Sequence, residues 1–87
     1  RTRLYDVSGA GARFEGADLT NARAEAANLP EANLRSVRAA ESIWERATLE
    51  RANLAGGGFR AASFVRARLG GCVLSGADLT NARLSRC

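Results

Sequence analysis

A leucine or phenylalanine recurs at every fifth residue through most of this chain, and a small residue stands two positions before it. The central positions run Leu4, Gly9, Phe14, Leu19, Ala24, Leu29, Leu34, Ala39, Trp44, Leu49, Leu54, Phe59, Phe64, Leu69, Leu74, Leu79 and Leu84. Alanines such as Ala12, Ala17, Ala22, Ala47 and Ala67 fill most of the small positions, with Val37, Ser42, Gly57, Cys72 and Cys87 among the rest. A five-residue step turns an α-helix by about 500°, which would smear the apolar residues around its circumference. In a flat strand an odd step changes sides each time and scatters them over both faces. The two inward positions are themselves two residues apart, however, which is the spacing of neighbours on one side of an extended segment. Each unit therefore reads as a short extended piece followed by a sharp corner. Its repetition winds the chain into an all-β solenoid lined by the central and small residues.

The charges test that register independently. All 13 arginines and all nine acids fall on the other three positions of the unit, and none on a central or small one. An unpaired buried charge is very costly, so this segregation is what a packed interior demands.

Units such as Ala17-Asp18-Leu19-Thr20-Asn21, Ala32-Asn33-Leu34-Arg35-Ser36, Ala52-Asn53-Leu54-Ala55-Gly56 and Ala77-Asp78-Leu79-Thr80-Asn81 resemble the A(D/N)LXX motif of pentapeptide repeat proteins. The resemblance covers essentially the whole chain, roughly seventeen units in tandem. It implies a right-handed quadrilateral β-helix of about four coils, four units to the coil, in a single domain over residues 1–87. Residues 1–11 hold the weakest repeats: Gly9 leaves a gap in the core and Gly11 adds flexibility. Gly56-Gly57-Gly58 is a second soft spot. No capping helix precedes Arg1 or follows Arg86, and the chain is expected to be a piece of a longer, bacterial protein whose coil ends are open to stacking.

With four units per turn, residues twenty apart stack on one wall, one coil above another at about 4.8 Å. The segment GADLTNAR occurs at residues 16–23 and again at residues 76–83, a whole number of coils apart, so both copies should occupy the same walls. Trp44 is the largest core residue, stacked between Ala24 and Phe64 and preceded in its own coil by Ala39. It is expected inside, filling the volume vacated by the two alanines, with its indole N–H on a backbone carbonyl or in solvent.

The chain has no histidine, which removes the usual general base and metal ligand. Glu25 and Glu45 share an outward position on adjacent coils, a spacing near that of a retaining glycosidase pair, but they stand on a flat wall beside Arg23 and Arg46 and read as solvated acids. No catalytic residue, cofactor site or metal site is expected. Cys72 and Cys87 hold inward small positions; Cys72 reads as a buried free thiol, and the pair suits a reducing cytoplasm, while the family resemblance also implies the alternative of a parent protein associated with secretion. No apolar run is long enough for a membrane span.

Net charge is +4, and every basic residue is arginine. On the coil Arg46, Arg66 and Arg86 share one corner of successive turns, while Arg3, Arg23 and Arg83 lie on the adjoining wall with the outward apolar residues Tyr5, Ile43 and Val65. Arginine forks suit carboxylates and phosphates. Arg23, Ile43, Arg46, Val65, Arg66, Arg83 and Arg86 are therefore the candidate face for a protein partner with an acidic surface, and the chain reads as a non-enzymatic scaffold or protein-interaction module. Some pentapeptide repeat proteins resemble B-form DNA and bind DNA gyrase, so the resemblance carries that function as the alternative. Charge disfavours it: duplex DNA carries about one negative charge per 1.7 Å, roughly twelve over this height, whereas the nine acids here are outnumbered by 13 arginines.

Overall fold

The computed structural model describes residues 8–84. Its backbone is joined by parallel bridges that all link residue i to residue i + 20, from Ser8–Asn28 to Ser63–Arg83. They form four columns: Ser8, Asn28, Thr48 and Arg68 on the first wall; Arg13, Asn33, Asn53 and Val73 on the second; Asp18, Arg38, Gly58 and Asp78 on the third; Arg23, Ile43, Ser63 and Arg83 on the fourth. One coil thus takes twenty residues, as the family resemblance implies. The bridges are isolated rather than gathered into strands, because two of every five residues are spent on a corner. Each wall has room for a single bridged residue per coil.

One unit shows where the backbone hydrogen bonds go. Asn33 N–H donates to the Ala12 carbonyl of the coil before (2.8 Å), while Leu34 and Ser36 N–H donate to Asn53 and Ala55 of the coil after (2.8 and 2.9 Å). Val37 N–H closes the corner on the Leu34 carbonyl (3.2 Å). The fifth donor, Arg35 N–H, is taken by the Asn33 side chain, whose Oδ1 accepts it at 3.1 Å. Asp18, Asn53 and Asp78 do the same for Thr20, Ala55 and Thr80. The Asp or Asn before the central residue is thus a local cap for the one N–H that the ladder leaves over. Pro30 follows the central Leu29, at the position of that left-over N–H, where a missing donor costs nothing and the ring's fixed φ suits the second residue of a turn.

Every corner carries a positive φ at the third residue of the turn, the mark of type II geometry. Glycine serves at Gly11, Gly16, Gly56, Gly71 and Gly76, but ten other residues do so too, among them Ala26 (58°), Glu31 (61°), Arg46 (61°) and Arg66 (62°). Each non-glycine corner costs about 1 kcal/mol or more, and the ladder bonds on both sides hold it there. Gly11, at φ 73°, is a corner like the others; the rest of the weak stretch expected over residues 1–11 lies mostly outside the described residues.

The interior is one apolar column from Leu19 to Ala67, with Trp44, Phe59, Phe64, Leu29, Leu34, Leu49 and Leu54 essentially inaccessible. Trp44 lies parallel to Phe64 (6.4 Å between centroids, 9° between planes), and Phe59 meets both edge-on at 6.4 and 5.4 Å. The indole partner differs from the expected carbonyl or solvent. Trp44 N–H donates to the Ser42 hydroxyl (2.6 Å), which donates in turn to the Ala39 carbonyl (2.5 Å). Ser42 is fully buried and serves as the hinge of a relay, because a carbonyl held in the turn is reached more easily by a short hydroxyl than by a fixed indole. Gly57, in the second soft spot, has a packing role: a Cβ there would lie 3.1 Å from the Leu54 carbonyl oxygen and drive into the Phe59 ring. Leu74 and Leu84, at central positions, are 40% and 43% exposed, and Val73 stands outward on the second wall.

A candidate interaction wall

The fourth wall is built from three outward positions of units 22–26, 42–46 and 62–66 and the start of the next. Its bridged column runs Arg23, Ile43, Ser63, Arg83. The position after the central residue holds Glu25, Glu45 and Val65, and the corner beyond holds Ala26, Arg46 and Arg66. The sequence reading therefore places Arg23, Ile43, Arg46, Val65, Arg66 and Arg83 on one continuous surface; Arg86, and the adjoining Arg3 and Tyr5, lie outside the described residues. Ile43 and Val65 are half-buried, while Arg23, Arg46, Arg66 and Arg83 are exposed. Arg46 N–H donates to the Val65 carbonyl (3.0 Å), which locks the two corners in register.

The acids of this wall have partners of their own. The Arg23 guanidinium donates to Glu25 Oε2 at 2.8 Å. The Ser63 hydroxyl donates to Glu45 Oε2 at 3.0 Å. Glu25 is held below its ordinary pKa of 4.5, chiefly by the hydrogen bond from Arg23. A general acid of a glycosidase pair is instead pushed up by burial, so Glu25 leans away from that chemistry, and Glu45 is occupied by a neutral hydroxyl. At the corner, by contrast, the Arg46 and Arg66 side chains make no hydrogen bond or ion pair among the described residues. Their stacking costs less than about 1 kcal/mol in water. A different corner shows the attractive version of the same geometry: Arg51 donates to Glu31, one coil away, at 3.2 Å. Asn21, Arg23, Glu41 and Ile43 line an open depression of about 350 Å³ along the fourth wall's other edge.

Asp18 and Asp78 also lie below the ordinary carboxylate value of 3.8, first because the Thr20 and Thr80 hydroxyls donate to them (2.8 and 2.6 Å) and then because the backbone N–H of the same threonines does. The two copies of GADLTNAR thus make the same bonds on the same walls. Carboxylates with lowered folded-state pKa values bind fewer protons folded than unfolded, so their contribution is present above about 4.5 and is lost as pH falls through the lowered values. We expect the thermal midpoint to fall as pH is taken from about 5 to below 3.8. Glu25→Gln should blunt part of that fall, and a pH-independent midpoint over this range would refute the assignment.

Cys72 is half-buried rather than fully buried, since it sits in the last described coil. Its thiol donates to the Leu49 carbonyl at 2.9 Å, and burial pushes its pKa up, so it is a poor nucleophile. No helix among the described residues is long and apolar enough to cross a membrane. Spacing in the sequence groups the residues of this wall but does not disclose the caps at Asp18, Asn33, Asn53 and Asp78 or the hydroxyl at Ser42. The Asp or Asn that precedes the central residue in those units is the visible signal for the caps.

A model of pentapeptide repeats matches residues 10–35, 32–68 and 59–87, in eight copies. Among solved structures the chain is similar to HetL, a pentapeptide repeat protein involved in heterocyst differentiation regulation from the cyanobacterium Nostoc sp. strain PCC 7120, at 30% identity over 97% of this chain, with a TM-score of 0.48. It spans 39% of the length of that HetL chain. It is also similar to the pentapeptide repeat protein Rfr23 from the cyanobacterium Cyanothece 51142, at 22% identity over 98% of this chain and 82% of that one, with a TM-score of 0.47. No curated protein sequence matches the chain. The unbroken five-residue register, the twenty-residue coil and the family model matched from residue 10 to residue 87 together make this chain a member of the pentapeptide repeat family.

Proposed function

We propose that the chain is a non-enzymatic scaffold or protein-interaction module, a right-handed quadrilateral β-helix whose fourth wall receives a protein partner with an acidic surface. One observation supports this best. The acids of the wall are engaged at Arg23 and Ser63, while the exposed corner arginines Arg46 and Arg66 have no counter-ion among the described residues. Ile43 and Val65 would add apolar contact beside them, and Arg83 and Arg86 would extend the charged strip. Arginine forks of this kind suit carboxylates, and charge complementarity favours encounter with an acidic partner. A cytoplasmic setting without membrane contact accords with the two thiols at inward positions.

The alternative reading, a DNA mimic that binds gyrase, gains nothing from this wall, which is basic where duplex DNA is acidic. The test compares the folded wild-type chain with Arg46→Ala/Arg66→Ala/Arg86→Ala as bait, each checked by circular dichroism. Partner capture should fall at least about tenfold in the variant, the equivalent of about 1.4 kcal/mol; equal capture overturns the assignment of the wall. Inhibition of gyrase supercoiling by the wild-type chain at micromolar concentration would promote the alternative instead.

A further inference from the structure

The third wall carries charge in a different arrangement. Its bridged column reads Asp18, Arg38, Gly58, Asp78, and two residues further along each coil stand Thr20, Ala40, Arg60 and Thr80. In the two middle coils this makes a checkerboard, Arg38 beside Ala40 and Gly58 beside Arg60. The two small positions leave a diagonal trough of about 280 Å³, with Ala39, Ala40 and Gly58 as its floor, Arg38 and Arg60 as its banks, and Thr20 and Asp78 at its ends. Neither Arg38 nor Arg60 takes part in an ion pair or side-chain hydrogen bond among the described residues. Arg38 acts on Asp18 and Arg60 on Asp78 only at longer range, helping to hold those carboxyls below their ordinary value, while the Thr20 and Thr80 hydroxyls take the close hydrogen bonds.

We propose that this trough is a docking groove for an extended segment of a protein partner, with one acidic side chain seated between Arg38 and Arg60. The charge complementarity is specific: two guanidinium groups flank an apolar floor of alanine and glycine, so a carboxylate on a short stem can enter while small neighbours lie on Ala40 and Gly58. Size agrees. The trough crosses from the coil of Thr20 to that of Asp78, three coil spacings or about 14 Å, which is the length of about four extended residues. Asp78 closes one end against further negative charge and accordingly favours a single acid over a run of them. The groove lies on a different wall from Arg46 and Arg66, so it stands or falls independently of the partner face proposed above.

Gly58 makes the test clean. Its φ is not in the left-handed region, and an added Cβ would meet only the Val37 carbonyl oxygen, at 3.8 Å. The equivalent bridged position on the second wall is asparagine in both Asn33 and Asn53, so Gly58→Asn fills the trough in a fold that already accepts that residue. The probe is the tetrapeptide acetyl-Ala-Glu-Ala-Ala-amide, titrated into the isotope-labelled chain and followed by amide and arginine Nε shifts. The expected result is movement confined to Thr20, Arg38, Ala40, Gly58, Arg60 and Asp78, lost when Gln replaces Glu in the peptide and lost again in Gly58→Asn and in Arg38→Ala/Arg60→Ala. Equal movement with the Gln peptide, movement spread to Arg13 and Arg68, or an undiminished response in Gly58→Asn overturns the proposal. So does inorganic phosphate if it moves the same resonances more strongly than the peptide.

Discussion

Trp44→Ala should lower the unfolding free energy by about 3–5 kcal/mol, the range for truncating a large buried aromatic. Three losses coincide at this one position. The side chain is wholly inaccessible, so its removal leaves a cavity the rigid ladder cannot close. Its stacked contact with Phe64 and its edge contact with Phe59 disappear, and such pairs contribute about 0.5–1.5 kcal/mol beyond area burial. The Ser42 hydroxyl keeps its bond to Ala39 but loses its donor. In a solenoid each coil is stabilised chiefly by its neighbours, and Trp44 stands in the middle coils, so the loss is felt through the interfaces on both sides. Trp44→Phe should cost clearly less, because it retains most of the aromatic volume and the ring contacts, although it too removes the N–H that Ser42 accepts. Urea unfolding followed by circular dichroism measures both without relying on the indole as reporter. A loss below about 1 kcal/mol for Trp44→Ala would mean that the aromatic trio is not the centre of the fold.

The second large effect separates two adjacent residues. Ala47→Asp should unfold the chain or cost more than about 4 kcal/mol, whereas Arg46→Asp should change stability by no more than about 0.5 kcal/mol. Ala47 is inaccessible and its neighbours are Leu, Trp and Phe side chains in one apolar column, so a carboxylate there has neither water nor a partner. Arg46 is exposed at a corner with φ 61°, a conformation that Asp tolerates better than most residues, and its removal relieves the like charge of Arg66. Thermal melts of the two variants give the comparison directly. Similar losses for both would mean that the five-residue register does not set inside from outside.

Much of this was legible from spacing. The inward row follows from a period that neither helix nor flat strand can bury, and the charges mark the outside without exception. The coil length and the four walls came with the family resemblance, and with that twenty-residue offset Ile43, Arg46, Val65 and Arg66 fall on one wall. What the spacing did not disclose was the set of partners. Arg23 and Arg66 look alike in the sequence, yet Arg23 is paired with Glu25 and the Arg66 side chain has no partner among the described residues. The trough on the third wall needed Gly58 and Ala40 to be seen side by side in adjacent coils.

The period, the side on which each residue falls and hence the family can be read along the chain alone. Those are properties of backbone geometry and burial, and every unit votes for them in the same register. Which hydroxyl takes the Trp44 N–H, which acid neutralises which arginine, and why a side chain at Gly57 would press on the Phe59 ring emerge only from the fold. These depend on distances of a few tenths of an ångström between residues two to twenty positions apart, where several partners are equally near along the chain and only the three-dimensional packing selects among them.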